Sequence, residues 1–404
     1  MDIHSILGII FVVVLTVLLV LYRKRLDVQK ILGPLLYFAM WRTKLGLKQM
    51  EWGKTWLRKP VRILGYAGVV IGFLGMILVT AEVITASIAL LTTPEAVPSL
   101  QPVLPIQAKG VFFVPFVYWI ISIFIIAVVH EFAHGIVARA HDIPIKSSGF
   151  AFLGVLIPIV PAAFVEPDEK NLPKKPVGAQ LSLFAAGAFA NILTALVLVF
   201  LFAIPLIPTA VTKYTTIYDI GASSKELVQL SGLEITKIQP DSPAEKAGLL
   251  PGHIVTAFDG INVTDTDTFV QTITNRTPGE TVELTANGTT YSIVLAPDPK
   301  EPGHGIMGVN FDVKTSPNPA ALERYGAFGV QARLFFINLI IWIFTLSLGI
   351  GVFNLIPIGP IDGGRMLHLV ATRWLPKRGH FLWKWTSVIL LGLIVANLAA
   401  GWIG

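Results

Sequence analysis

The stretch VFFVPFVYWIISIFIIAVVHEFAH, residues 111–134, decides how this chain is read. It is a long apolar, aromatic-rich run ending in His130-Glu131-Phe132-Ala133-His134. On a helix, residues i and i+4 lie one turn apart on one face, so His130 and His134 can reach a single metal ion. Glu131 stands beside them and can act as general base toward water. Ionisable side chains within a membrane-length run cost free energy and mark a functional site by default. The bland alternative is a cluster of solvated polar residues at a helix end.

The composition supports a membrane setting. The chain has 404 residues, 53% hydrophobic and only 14% charged, with a positive mean hydropathy. Few soluble globular chains are this poor in charge. The formal net charge is +6. The excess gathers at the ends of apolar runs rather than forming a nucleic-acid face, so no nucleic-acid partner is expected. There are no cysteines. Any metal site must therefore use His and carboxylate ligands. The run at residues 6–22 has no Lys or Arg before it and no small-residue cleavage site after it, so it reads as a retained anchor.

Six spans are expected, at residues 6–22, 63–91, 111–138, 181–207, 334–356 and 385–403. The stretch 31–41 is too short to span and is expected at the interface. Lys and Arg set the orientation. Eleven of them lie between residues 23 and 62, which places that loop in the cytoplasm. The loop 92–110 carries only Lys109 and is expected outside. The loop after the third span and the last loop, with Arg365, Arg373, Lys377, Arg378 and Lys384, are expected inside.

Residues 212–316 are a different kind of sequence, polar and rich in Thr, Asp and Gly. β-like runs at 233–238, 254–258, 281–285 and 291–295 are separated by turn residues, including Asp259-Gly260. The length suits one small domain, and the charge pattern puts it outside. Asn262, Asn275 and Asn287 each head an Asn-X-Thr triplet, a form compatible with that exterior placement.

A catalytic zinc typically takes three protein ligands. The end of the fifth span, Asn354-Leu-Ile-Pro357-Ile-Gly359-Pro360-Ile-Asp362-Gly363-Gly364, supplies a third candidate. Pro357 and Pro360 stop a regular helix, which leaves Asp362 on broken backbone near membrane depth, where protein or water must surround it. The alternative for Asp362 is a plain turn residue, since Asp-Gly-Gly is a common turn. Spans three and five run in the same direction, so His130, His134 and Asp362 can meet at one depth, on the cytoplasmic side.

Together these residues resemble the site-2 protease family of intramembrane zinc metalloproteases. The likeness rests on His130-Glu131-x-x-His134-Gly135, on Asn354…Pro357…Asp362-Gly363-Gly364, and on Phe184-Ala-Ala-Gly187-Ala-Phe-Ala-Asn191. It implies a core of spans three, four and five. It implies zinc held by His130, His134 and Asp362, Glu131 as base, and Asn354 near the zinc holding substrate or oxyanion. Gly187 and Asn191 would lie near the site, Asn191 in contact with substrate. Many relatives have Pro where this chain has Ala188. The exterior segment resembles a PDZ domain of the bacterial protease type, through Gly232-Leu233-Glu234-Ile235, Pro240-Asp-Ser-Pro243, Ala247-Gly248-Leu249 and Gly252-His253-Ile254-Val255. Such domains add an extended chain to a sheet edge. The loop at Ser231, Gly232 and Leu233 is the expected edge.

The fold class expected is therefore a mainly α polytopic membrane protein with an inserted extracytoplasmic α+β PDZ-like domain. Its parts are residues 1–60 (anchor and basic segment), 61–211 and 317–404 (membrane domain), and 212–316 (PDZ-like). The expected function is zinc-dependent cleavage of transmembrane protein substrates within the lipid bilayer, in regulated proteolysis after a first external cut. The PDZ-like domain would bind a peptide or a trimmed substrate C-terminus. Residues 147–163, with Gly149, Gly154, Pro158 and Pro161, are expected to re-enter the membrane and offer an edge to unwound substrate. A non-catalytic membrane scaffold or zinc-binding receptor is the competing reading. Glu131 separates the two, since a mere binder needs no base beside its zinc.

Overall fold

The computed structural model describes residues 3–30, 36–92, 100–155, 157–203, 226–262, 276–299 and 301–403. Its helices are α1 (Ile3–Leu21), α2 (Leu47–Met50), α3 (Arg58–Thr92), α4 (Phe116–Ala140), α5 (Val177–Ala203), α6 (Pro243–Lys246), α7 (Pro319–Phe353), α8 (Asp362–Trp374) and α9 (Gly379–Ile403). The chain divides into two compact units, residues 1–201 with 338–404, and residues 202–337.

In the first unit, α3, α4, α5, α7 and α9 are long and apolar enough to cross a bilayer, and α1 gives a shorter apolar stretch, Ile6–Leu21. The expected sixth full-length span is thus not met by length among the described residues. Half of the apolar window of α5 is buried, against 17–22% in the other four. This follows from its small residues. Ala185, Ala186 and Ala188 let neighbours approach closely. On α3, Gly65, Gly68 and Gly72 lie where a Cβ would press on Ser182, Phe189 and Met366, so α3 packs through a glycine stripe. The outer faces of α3 and α9 leave Leu78, Leu91, Ile389 and Val395 exposed, as a lipid-facing surface requires.

The unit also holds an antiparallel sheet of β1 (Asp27–Lys30), β2 (Leu36–Thr43), β5 (Ile145–Val155) and β6 (Ile157–Pro167), in that order. A two-residue parallel pair, β3 (Val103–Leu104) and β4 (Phe112–Phe113), precedes α4. Two expectations change here. Residues 36–41, read as interfacial, are strand β2, while 31–35 lie outside the described residues. The stretch expected to offer a free edge includes β5, which is paired on both sides, to β2 and to β6. Among the described residues the terminal strands of this sheet are β1 and β6. Glu166 accepts hydrogen bonds from Arg42 at 2.6 Å and Ser147 at 2.7 Å and so ties β6 across the sheet.

The basic segment before α3 grips the end of α4. Met50 is buried against Gly135, and Gly53 against the backbone of Ile136, at positions where a Cβ would overlap them. Arg139 pairs with Glu51 at 2.6 Å, and Arg58 pairs with Asp142. Residues 365–384, read as a loop, instead form α8 and the turn into α9. Gly363 and Gly364 sit where a Cβ would overlap the backbone of Leu355 and Ile358. These glycines let α8 start tight against the broken segment before it.

The second unit carries a six-stranded sheet. Its strands are β7 (Val228–Ile238), β8 (Ile254–Phe258), β9 (Ile261–Asn262), β10 (Thr281–Ala286), β11 (Thr289–Val294) and β14 (Val309–Pro317), and a separate pair joins β12 (Ala296–Pro297) to β13 (Gly305–Ile306). The order is β11-β10-β8-β7-β14, with β9 on β8. Asp259-Gly260 turns β8 into β9 with φ of 47° and 76°, and Asn287-Gly288 turns β10 into β11 with 49° and 79°. Both have the left-handed residues that a two-residue hairpin needs. The core holds Leu233, Ile235, Val255, Leu284 and Ile293. The expected loop at Ser231, Gly232 and Leu233 is the interior of β7. Its residues pair with β14, and Leu233 also pairs with Val255 of β8. The side chain of Leu233 is core, so this is not a free binding edge.

Candidate metal centre

His130 and His134 project from α4 one turn apart, as the spacing predicts, and Asp362 arrives at the first residue of α8. The three converge. His130 Nε2 and His134 Nε2 are 3.2 Å apart, and Asp362 Oδ2 lies 3.3 Å from the first and 3.4 Å from the second. Asp362 is buried, and its Oδ2 accepts no hydrogen bond.

The outer nitrogens of both rings are engaged. His134 Nδ1 donates to the Leu183 carbonyl at 2.7 Å. His130 Nδ1 lies 3.2 Å from the Asn191 carboxamide, whose Oδ1 otherwise has no partner. Turning that amide so Oδ1 accepts from His130 Nδ1–H satisfies both groups. Each neutral imidazole then presents a bare lone pair at Nε2, toward a carboxylate oxygen. Three acceptors alone would repel one another. Around a tetrahedral zinc with ligands about 2.0 Å away, neighbouring donors stand roughly 3.3 Å apart, so the triangle has the size a zinc ion demands. The residues fit the metal. Gly187 of α5 backs the pair, since a Cβ there would overlap both Nε2 atoms.

Glu131 points to the sheet. Its Oε2 accepts the backbone N–H of Val165 in β6 at 2.8 Å. The Glu131 carboxylate is therefore held by the terminal strand of the sheet. Sequence reasoning missed this partner, because nothing local marks which backbone amide of β6 will face α4.

Asn191 is fully buried beneath His130. Its carboxamide lies against an imidazole rather than at an exposed surface. Its backbone carbonyl takes the Ser347 hydroxyl at 2.9 Å, which links α5 to α7. Asn354 donates one amide N–H to Ile350 at 3.0 Å, and its carbonyl takes the Gly363 N–H at 2.8 Å. It thus ties the end of α7 to the start of α8, beside Asp362. Phe184 packs under Arg365, whose guanidinium carbon lies 4.4 Å from the ring centre. His141 is buried just past α4, edge-on to Tyr66. Burial and the nearby Arg62 push it down to about 4.

A protein of Methanocaldococcus jannaschii, Uncharacterized protein MJ0971, is 28% identical over 394 residues, 95% of this chain and 91% of that one. Zinc metalloprotease RasP of Shouchella clausii is 28% identical over 196 residues, 37% of this chain and 45% of RasP. This chain thus matches under half of RasP's length. The PDZ domain of an SdrC-like protein from Listeria innocua is 26% identical over 20% of this chain and 93% of that domain, with a TM-score of 0.18. Peptidase family M50 matches residues 118–394, from α4 through most of α9, a range that includes His130, His134 and Asp362. The chain belongs to peptidase family M50, the site-2 protease family of metalloproteases.

Proposed function

We propose that this chain is a zinc endopeptidase that hydrolyses peptide bonds in or near the transmembrane segments of other membrane proteins. The observation that carries the proposal is the triangle of His130, His134 and Asp362 with Glu131 beside it, held by the terminal strand β6. Zinc, when bound, lowers the pKa of water and polarises a carbonyl. Glu131 takes the proton of the attacking water and returns it to the leaving amide nitrogen. Its bond to Val165 keeps the carboxylate aimed. Asn354 has a second amide N–H to offer the substrate carbonyl oxygen.

A helical substrate hides its carbonyls in its own hydrogen bonds. Pairing with the outer edge of β6 would hold it extended. By the alternation of an antiparallel ladder, the N–H and C=O of Ala163 point the same way as those of Val165. Pro161 shares that side and offers only its carbonyl, and proline is tolerated at such an edge.

The distribution of cations supports an orientation with the start of α3, the end of α4 and the α8–α9 turn in the cytoplasm. These carry Arg58, Lys59 and Arg62, then Arg139, then Lys377 and Arg378. His130 lies ten residues before the end of α4, about 15 Å at helical rise, so the site would sit within the bilayer toward its inner face. The second unit would then be extracytoplasmic and bind peptide or a trimmed C-terminus, in regulated proteolysis.

The test is metal content and cleavage of a model transmembrane substrate by wild type and Glu131→Gln in liposomes. The variant should keep one zinc and lose cleavage. Unchanged cleavage would reject the reading.

A further inference from the structure

A pocket of about 300 Å³ opens beside Glu131. Phe124, Val128 and Phe132 of α4 form one wall, Phe150 and Ala163 of the sheet form another, and Met50 closes it from below. Among the residues that line it, Glu131 is the one with a charge. That volume lies at the lower end of the roughly 300–1,000 Å³ of small-ligand pockets and is ample for one large apolar side chain.

The walls are pre-formed. The rings of Phe124 and Phe150 stack with centroids 5.9 Å apart. Met50 is buried where its sulfur rests on Gly135, a position with no room for a Cβ. Ala163 and Val165 both line the pocket and share the outer side of β6, where the Val165 N–H is held by Glu131 and the backbone of Ala163 faces outward. An extended chain on that edge passes the Glu131 carboxylate, and its successive side chains point to opposite faces. Each residue beside the bond being cut is thus offered to one face or the other, and the pocket is on one of them.

We propose that this pocket is the specificity subsite of the protease, and that it selects a large apolar side chain, such as Leu, Met or Phe, at one position next to the cleaved bond. The proposal rests on the endopeptidase reading above. An acidic side chain would meet Glu131 as a like charge in apolar surroundings. A basic one would pair with Glu131 and remove it as a base. A small one would leave the pocket part-filled.

The experiment uses the full chain in detergent with zinc and a model transmembrane substrate whose cleaved bond is located by mass spectrometry. Each flanking residue is changed in turn to Ala, Leu, Phe, Asp and Lys, and kcat/KM is read for every substrate. At one position wild type should favour Leu over Ala by about 10-fold or more, the scale on which apolar pockets discriminate. Val128→Trp fills the pocket and should cut that Leu-to-Ala ratio by about 10-fold. Phe150→Ala enlarges it and should move the preference toward Phe. Zinc content checks that each variant is folded. In a second arm, a benzophenone side chain is placed at that position in substrate mixed with Glu131→Gln, or at each flanking position if no cleavage is seen. It should crosslink to Val128, Phe150 or a neighbouring wall residue.

A preference for Asp or Lys would overturn the proposal. So would ratios that neither variant moves, or a crosslink elsewhere. If wild type cuts none of the substrates, the endopeptidase reading fails, and the crosslink alone decides whether the pocket receives a side chain.

Discussion

The backbone N–H of Val165 meets the carboxylate of Glu131 at 2.8 Å, so the carboxylate we assign as general base is held by strand β6. Removing that donor should loosen the base without touching the metal ligands. Val165→Pro is expected to lower kcat by about 10- to 100-fold, part of the 10²–10⁴-fold that a positioned acid–base group contributes. Zinc content should be unchanged. Loss of zinc in this variant would show that β6 supports the ligands rather than the base.

Gly187 backs both histidines without room for a Cβ. Gly187→Ala should displace the imidazoles and weaken zinc binding by about 100-fold, the upper scale seen when support of a metal ligand is lost. Gly349 of α7 has open space at its Cβ position, and Gly349→Ala should bind zinc as wild type does. Zinc titration with a competing chelator reads both.

Asn191 holds the outer nitrogen of His130. Asn191→Leu should lower zinc affinity by about 10- to 100-fold and leave His130 in mixed tautomers, visible in ¹⁵N spectra of labelled histidine. Asn191→Asp keeps an acceptor at that place and should retain most of the affinity. Equal losses in the two variants would contradict a positioning role.

The convergence of His130, His134 and Asp362 was legible in the chain because each carries a local mark. The spacing of His130 and His134 has meaning on any helix, and prolines at 357 and 360 break the backbone just before Asp362. Their neighbours were not legible. Sheet β1-β2-β5-β6 brings Arg42 to Glu166 across 124 residues, and no local pattern encodes that pairing. Helix α8 was read as loop because Asp362-Gly363-Gly364 has turn composition. Those glycines are there for close approach to Leu355 and Ile358. Strand β14 was missed although Val309, Phe311 and Val313 alternate. Ser231 to Leu233 was read as a loop from its glycine, yet β14 and β8 flank Leu233 on both sides. Asn287 was read only as a glycosylation acceptor, but with Gly288 it forms a hairpin turn.

His141 should make stability depend on pH. Its pKa falls from 6.5 to about 4 through burial and the cations Arg62, Arg58 and Lys175, while Asp142 opposes the shift. The unfolded chain therefore binds the proton more tightly, and stability rises with pH between these values. The contribution is fully present above about 6.5 and is lost as pH falls toward 4. Its size should be on the order of a few kcal/mol at most. Thermal unfolding in detergent should show this slope in wild type and a flatter one in His141→Gln. Parallel slopes would place the pH dependence elsewhere.

The central claim is that two imidazoles from α4 and one carboxylate from α8 hold the same zinc ion. Anomalous diffraction from crystals of the full chain, collected across the zinc edge, tests it most directly. The account predicts one peak about 2.0–2.2 Å from His130 Nε2, His134 Nε2 and an Asp362 oxygen. A peak bound to the histidines with Asp362 turned away, or a zinc held by other residues, would contradict it.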